Sequence, residues 1–163
     1  ISDKMEARHP HIFGDEAGSM GETRWENLKE SERTRKGAKS ALDGVALALP
    51  ALMRAQKLQK RAARTGFDWP DPSGSEAKIT EELKEFNDSD APDHKLEEAG
   101  DLLFAVVNFL RAHNIDAETA LRAANAKFER RFRAMEALGG EAFAGLSLEE
   151  KEELWQDVKK TES

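Results

Sequence analysis

Apolar residues recur at helical spacing along most of the chain. Ile79, Leu83 and Phe86 fall at i, i+4 and i+7. Leu121, Ala124, Phe128, Phe132 and Met135 form a longer stripe of the same kind. Such stripes predict amphipathic helices with these residues turned inward. Capping residues and breakers divide the pattern into six helices. The first covers Arg24 to about Lys36, with Trp25 and Leu28 on one face. After a polar connector from Gly37 to Gly44, the second runs from about Pro50 to Thr65, with Gly66 just past its end. Asp68 to Gly74 reads as a rigid loop, and Ser75 as the cap of a third helix at about 76–87. Asp88, Asp90 and Pro92 predict a turn from Asn87 to Pro92. The fourth helix, at about 92–113, is apolar on most sides after Asp101, which predicts a central, buried element. Asp116 can cap the fifth, at about 117–138, which Gly139-Gly140 ends. Ser147 with Glu150 three residues on is a capping-box signature for the last, at about 148–160.

Composition narrows the fold class. The chain holds 24 Ala, 16 Leu and 21 Glu, against 4 Val, 4 Ile, 6 Thr and no Tyr. These are helix formers rather than the β-branched and aromatic residues that strands need, so the expected fold is an all-α helical bundle. Its 163 residues suit one domain. Cysteine is absent, which excludes disulfides, thiolate zinc sites and cysteine nucleophiles. The balance of 25 basic against 32 acidic residues, a net −7, argues against bulk binding of a phosphate backbone. The longest strongly apolar run, Leu102 to Val107, is too short for a bilayer, and no signal-peptide pattern opens the chain. The expectation is a soluble cytoplasmic protein with no membrane partner. One nearly all-apolar helix among amphipathic ones further predicts self-association, most simply as a homodimer.

Chemistry is concentrated where acids meet the core stripes. Lys78, Glu82 and Glu85 share one face of the third helix, and Glu98, Asp101, Ala105 and Asn108 one stripe of the fourth. E-x-x-E and E-x-x-D spacing sets each carboxylate pair on consecutive turns, about 5–6 Å apart. Helices joined by so short a turn should pack antiparallel, bringing Glu82 and Glu85 to face Glu98 and Asp101. One reading is a solvated acidic face. The other is a divalent-cation site, favoured because Asp101 opens an apolar segment and Asn108 continues its stripe. Hard oxygen ligands without His or Cys suit Mg²⁺ or Mn²⁺ better than zinc, and Mg²⁺ leaves positions open to phosphate oxygens. Lys127, Arg130 and Arg131 lie on adjacent turns of the fifth helix beside Phe128 and Phe132. They read as a polyphosphate cradle or as ordinary partners of Glu129 and its neighbours. The second helix carries Arg54, Lys57, Lys60, Arg61 and Arg64 with no acid between them, and Arg54, Lys57, Arg61 and Arg64 share one face. That face reads either as RNA-binding or as a solvated surface paired with acidic helices. A catalytically inactive helical partner protein is the remaining alternative. No Gly-rich phosphate loop or serine-nucleophile signature is present.

Lys78-Ile79-Thr80-Glu81-Glu82-Leu83-Lys84-Glu85, followed by Glu97-Glu98-Ala99-Gly100-Asp101-Leu102-Leu103-Phe104-Ala105-Val106-Val107-Asn108, resembles the MazG nucleoside triphosphate pyrophosphohydrolases. Their all-α superfamily is marked by an E-x-x-E pair followed by an E-x-x-D pair. The likeness extends to Arg8–Asp15, Lys57–Pro70 and Ala124–Phe132, so it covers most of the chain. It implies the all-α NTP pyrophosphatase fold, a four-helix-bundle core completed in a homodimer, and the Mg²⁺-dependent reaction NTP + H₂O → NMP + PPi. It implies Glu82, Glu85, Glu98 and Asp101 as metal ligands and catalytic residues, with Glu82 or Glu85 as general base. Lys127 and Arg131 would contact the triphosphate, with Lys78, Asn108 and Arg130 in the same substrate-binding set. Trp155 would stack on the base, or else fill a core position with Leu148 and Leu154. MazG proteins commonly carry two such domains, and this chain looks like the second. Residues 1–22 would be an arm or the end of a preceding domain, and 23–163 the catalytic domain. The implied partner is a nucleoside triphosphate rather than a nucleic acid. The implied role is nucleotide-pool house-cleaning or stress-linked nucleotide control.

Overall fold

The computed structural model describes residues 39–162. The expected first helix, the Arg8–Asp15 motif and the expected boundary at residue 22 lie outside them. The elements are α1 (Ala51–Arg64), α2 (Pro72–Asp88), α3 (Pro92–Ala112), α4 (Ala117–Gly139), a 3₁₀ segment (Gly140–Gly145) and α5 (Leu148–Thr161). No strand occurs among the described residues. The described residues fall into two compact units, one of residues 39–48 and 57–68, the other of 49–56 and 69–162.

In the first unit, Asp43 closes a turn by accepting the Lys39 and Ser40 N–H groups at 2.8 and 3.0 Å. Arg61 donates to the carbonyls of Ala41 and Asp43. Gly66 leaves α1 at φ +86°, a conformation that favours glycine.

In the second unit, α2 packs chiefly on α3, and α4 on α5 and the 3₁₀ segment. The α3–α4 junction is tightly specified. Asn114 takes a left-handed φ of +59°, which asparagine tolerates better than most residues. Asp116 caps α4 by accepting the Thr119 N–H at 2.7 Å. Gln56, buried on α1, accepts the Ala117 N–H at 3.2 Å and donates to the Ile115 carbonyl at 3.4 Å. One side chain thus satisfies an amide that the start of α4 would otherwise leave unpaired. Ser147 and Glu150 form the expected capping box on α5.

Several expectations give way. Ser75 does not cap α2; Asp71 does, accepting the Ser73 N–H at 2.8 Å, and Pro72 starts the helix. Proline at the first turn costs no hydrogen bond and has its φ already set, so the helix begins one turn earlier. Ser75 is buried instead, its hydroxyl donating to the Pro72 carbonyl at 2.7 Å. The turn after α2 shortens to residues 89–91. Helix α3 is not enclosed: Ala105 and Val107 are buried, but Leu103 is 59% exposed and Phe104 also faces outward. Of the α4 stripe only Met135 is buried, while Leu121, Ala124, Phe128 and Phe132 are exposed. Leu83 on α2 is exposed as well. The helical period holds, yet among the described residues several apolar positions on these helices lie uncovered. No helix of the described residues is long and apolar enough to cross a membrane.

Candidate functional site

Helices α2 and α3, joined by three residues, make a hairpin. Pro92 at the start of α3 mirrors Pro72 at the start of α2. This pairing sets one acidic face against the other. One carboxylate oxygen each from Glu82, Glu85 and Glu98 lies within 4.8 Å of the others. The three differ in environment: Glu82 is buried, Glu98 partly buried and Glu85 exposed. Lys78, one turn earlier on α2, reaches Glu82 at 2.6 Å and Glu81 at 3.0 Å. Those hydrogen bonds raise the proton affinity of Lys78 and keep its ammonium charged. The Glu98 carboxyl has no such relief. Burial raises its pKa above the ordinary 4.5, and the nearby charges of Glu85, Glu82, Asp101 and Glu97 add to the shift.

The donor set is all carboxylate oxygen, and crowding makes the charged form of one member costly. Both properties suit a hard divalent cation, which would offset the repulsion. Asp101 lies a turn beyond Glu98 and adds to its field, but it is exposed and outside the close group of three. Asn108 holds its own helix instead, its Oδ1 accepting from Arg111 Nε at 3.1 Å and Nη2 at 2.6 Å.

The second constellation sits on the α4–α5 pair. The Arg131 guanidinium lies 5.6 Å from the Trp155 ring centroid, and the Phe128 ring lies 5.8 Å from the same ring. Trp155 is partly buried, whereas Leu148, its expected core companion, is largely exposed. Lys127 is exposed beside them. Arg130 and Arg131 both hydrogen-bond to Glu162. Glu162 was not among the sequence candidates. It lies 31 and 32 residues from its partners, so no helical period connects it to them. The basic face of α1 is partly committed to structure, because Arg61 donates to two carbonyls.

Fold and site together define an all-α protein whose helical hairpin gathers three carboxylates around one point. No protein-family model matches the chain. Individual proteins do. The chain is 47% identical over 173 residues to the nucleoside triphosphate pyrophosphohydrolase of Escherichia coli K12, covering 99% of this chain and 66% of that protein. It is 41% identical over 162 residues to the nucleoside triphosphate pyrophosphohydrolase/pyrophosphatase MazG of Thermotoga maritima, covering 98% of this chain and 63% of that protein. It is also 44% identical over 172 residues to the uncharacterized protein YabN of Bacillus subtilis, with 35% of that protein covered. Over its length the chain belongs to the MazG family. It spans somewhat under two thirds of the two named pyrophosphohydrolases.

Proposed function

We propose that this chain hydrolyses nucleoside triphosphates to the monophosphate and pyrophosphate. Mg²⁺, or Mn²⁺ in its place, would be held by Glu82, Glu85 and Glu98 and completed by Asp101. The observation that carries this reading is the meeting of three carboxylates on one hairpin. It gains weight from relatives at 41–47% identity whose names state that activity. A divalent cation bound there supplies positive charge to the phosphate oxygens and lowers the pKa of water.

The chain's own residues do the rest. Water adds to the α-phosphorus, the bond from that phosphorus to the bridging oxygen breaks, and pyrophosphate leaves with the electron pair. Glu82 or Glu85 accepts the water's proton. Lys78 holds the Glu82 side chain in place through its ion pair at 2.6 Å. Lys127, Arg130 and Arg131 offset charge on the departing pyrophosphate. Trp155 offers a ring face to the base, and Asn108, on α3, its side-chain amide nitrogen, the oxygen being held by Arg111. The exposed apolar residues of α2, α3 and α4 support a homodimer that covers them. We place this work in the cytoplasm, as nucleotide-pool house-cleaning or stress-linked nucleotide control.

The deciding experiment is turnover of a panel of natural and modified triphosphates with and without Mg²⁺. Monophosphate and pyrophosphate should appear in equal amounts and only with the divalent ion. Orthophosphate as the first product, or no turnover with either Mg²⁺ or Mn²⁺, rejects the reading.

A further inference from the structure

Successive residues on a helix diverge by about 100°, so Arg130 and Arg131 leave the α4 backbone in different directions. Their guanidinium groups nevertheless meet on one carboxylate. Arg130 Nε donates to Glu162 Oε1 at 2.8 Å, and Arg131 Nε donates to Glu162 Oε2 at 2.7 Å. Each oxygen serves one arginine. Glu162 is itself anchored, because it caps α5 and its backbone N–H donates to the Lys159 carbonyl at 3.3 Å. Arg131 is held a second time by the Trp155 ring, and its side chain is only 19% exposed.

A guanidinium carries five N–H donors in a fixed fork. The contacts with Glu162 use the Nε donor of each arginine. Among the described residues, the terminal amino groups of both arginines have no hydrogen-bond partner. Two cations drawn this close repel, and the bridging anion offsets that cost. It also restricts rotation of each fork while leaving its outer edge available. That edge is the part of arginine suited to paired hydrogen bonds with phosphate oxygens.

We propose that Glu162 is a positioning residue for the substrate's phosphate chain: it gathers Arg130 and Arg131 by their Nε atoms and presents their terminal amino groups as one donor surface. The proposal rests on the triphosphate reading above. Glu162 acts through the two arginines and does not touch substrate. The same arginines hold its carboxyl near a pKa of about 2, so it remains charged at any neutral working pH.

The test uses Glu162→Gln and Glu162→Ala in the full chain, with melting curves to confirm folding. Gln keeps the side chain's shape, so a folded variant is available even if Ala is disruptive. Two measurements are made: steady-state kinetics with Mg²⁺, and calorimetric titration with inorganic pyrophosphate. The variants should raise KM about tenfold with kcat little changed, the pattern of lost binding common to ground and transition states. Pyrophosphate affinity should fall in proportion. An unchanged KM overturns the proposal. A lowered KM also overturns it, since the carboxylate would then be competing with phosphate for the arginines. If the unaltered chain turns over no triphosphate, the activity reading fails and the pyrophosphate titration still decides the role of Glu162. Weaker pyrophosphate binding by the variants supports the proposal; equal binding, or none by the unaltered chain, overturns it.

Discussion

Glu98 carries the sharpest electrostatic consequence at the level of single residues. Its pKa is raised by burial first, then by four neighbouring acids. A group whose folded pKa exceeds its unfolded value stabilises the fold fully below the unfolded value, and that contribution disappears as pH rises through the folded value. In metal-free protein the Glu98 contribution to stability therefore declines as pH climbs through the window just above 4.5. Mn²⁺ or Mg²⁺ should reverse that decline. Melting temperature against pH, in EDTA and in Mn²⁺, checks this, and parallel curves would contradict it. Glu98→Gln should flatten the metal-free dependence. It should also cut triphosphate turnover by about a hundredfold or more, since even partners one step removed from a metal cost 10–100-fold. A folded Glu98→Gln protein with ordinary turnover would remove Glu98 from the site. The acids of this hairpin were visible from their spacing alone. The selection of Glu82, Glu85 and Glu98 as the close group, with Asp101 outside it, was not. That choice depends on how α2 and α3 rotate about their axes when they pack.

Helix ends set the element scale. The caps at Asp116 and Ser147 were readable, because side chain and target amide lie within three residues of each other. Asp71 rather than Ser75 caps α2, and Asp-Pro before an acidic amphipathic run is itself a start signal. Asp71→Ala should lower the chemical-denaturation midpoint modestly, through fraying of the first turn of α2. The Gln56 tie is of another kind, since it joins residues 59 and 61 positions apart. Gln56→Leu keeps the bulk but leaves the Ala117 N–H buried and unpaired, at a cost of roughly 1–3 kcal/mol. An unchanged denaturation midpoint would show that this amide finds another partner.

For the whole molecule, the apolar surface is the open account. Phe128 is 57% exposed and stacks on Phe132, whose ring in turn meets Phe143 edge-on. Leu83, Leu103, Phe104 and Leu121 are exposed as well, so the described residues leave several large apolar side chains uncovered, the kind of surface that marks an interaction site where it is contiguous. The homodimer proposed above would bury them. Sedimentation should give twice the mass of one chain, and Leu103→Glu should shift it toward the monomer by setting a charge in the interface. A monomeric unaltered chain, or a variant that remains dimeric, would argue that this face serves another purpose.

The amino-acid order alone determined that the chain is helical, where most helices start and stop, and which acids and bases share a face. These are local properties, fixed by a 3.6-residue period and by side chains that reach amides three residues away. Burial, the meeting of the three glutamates and the grip of Glu162 on two arginines emerged only once the helices packed. Each depends on the rotation and separation of elements distant in sequence, which no local period encodes.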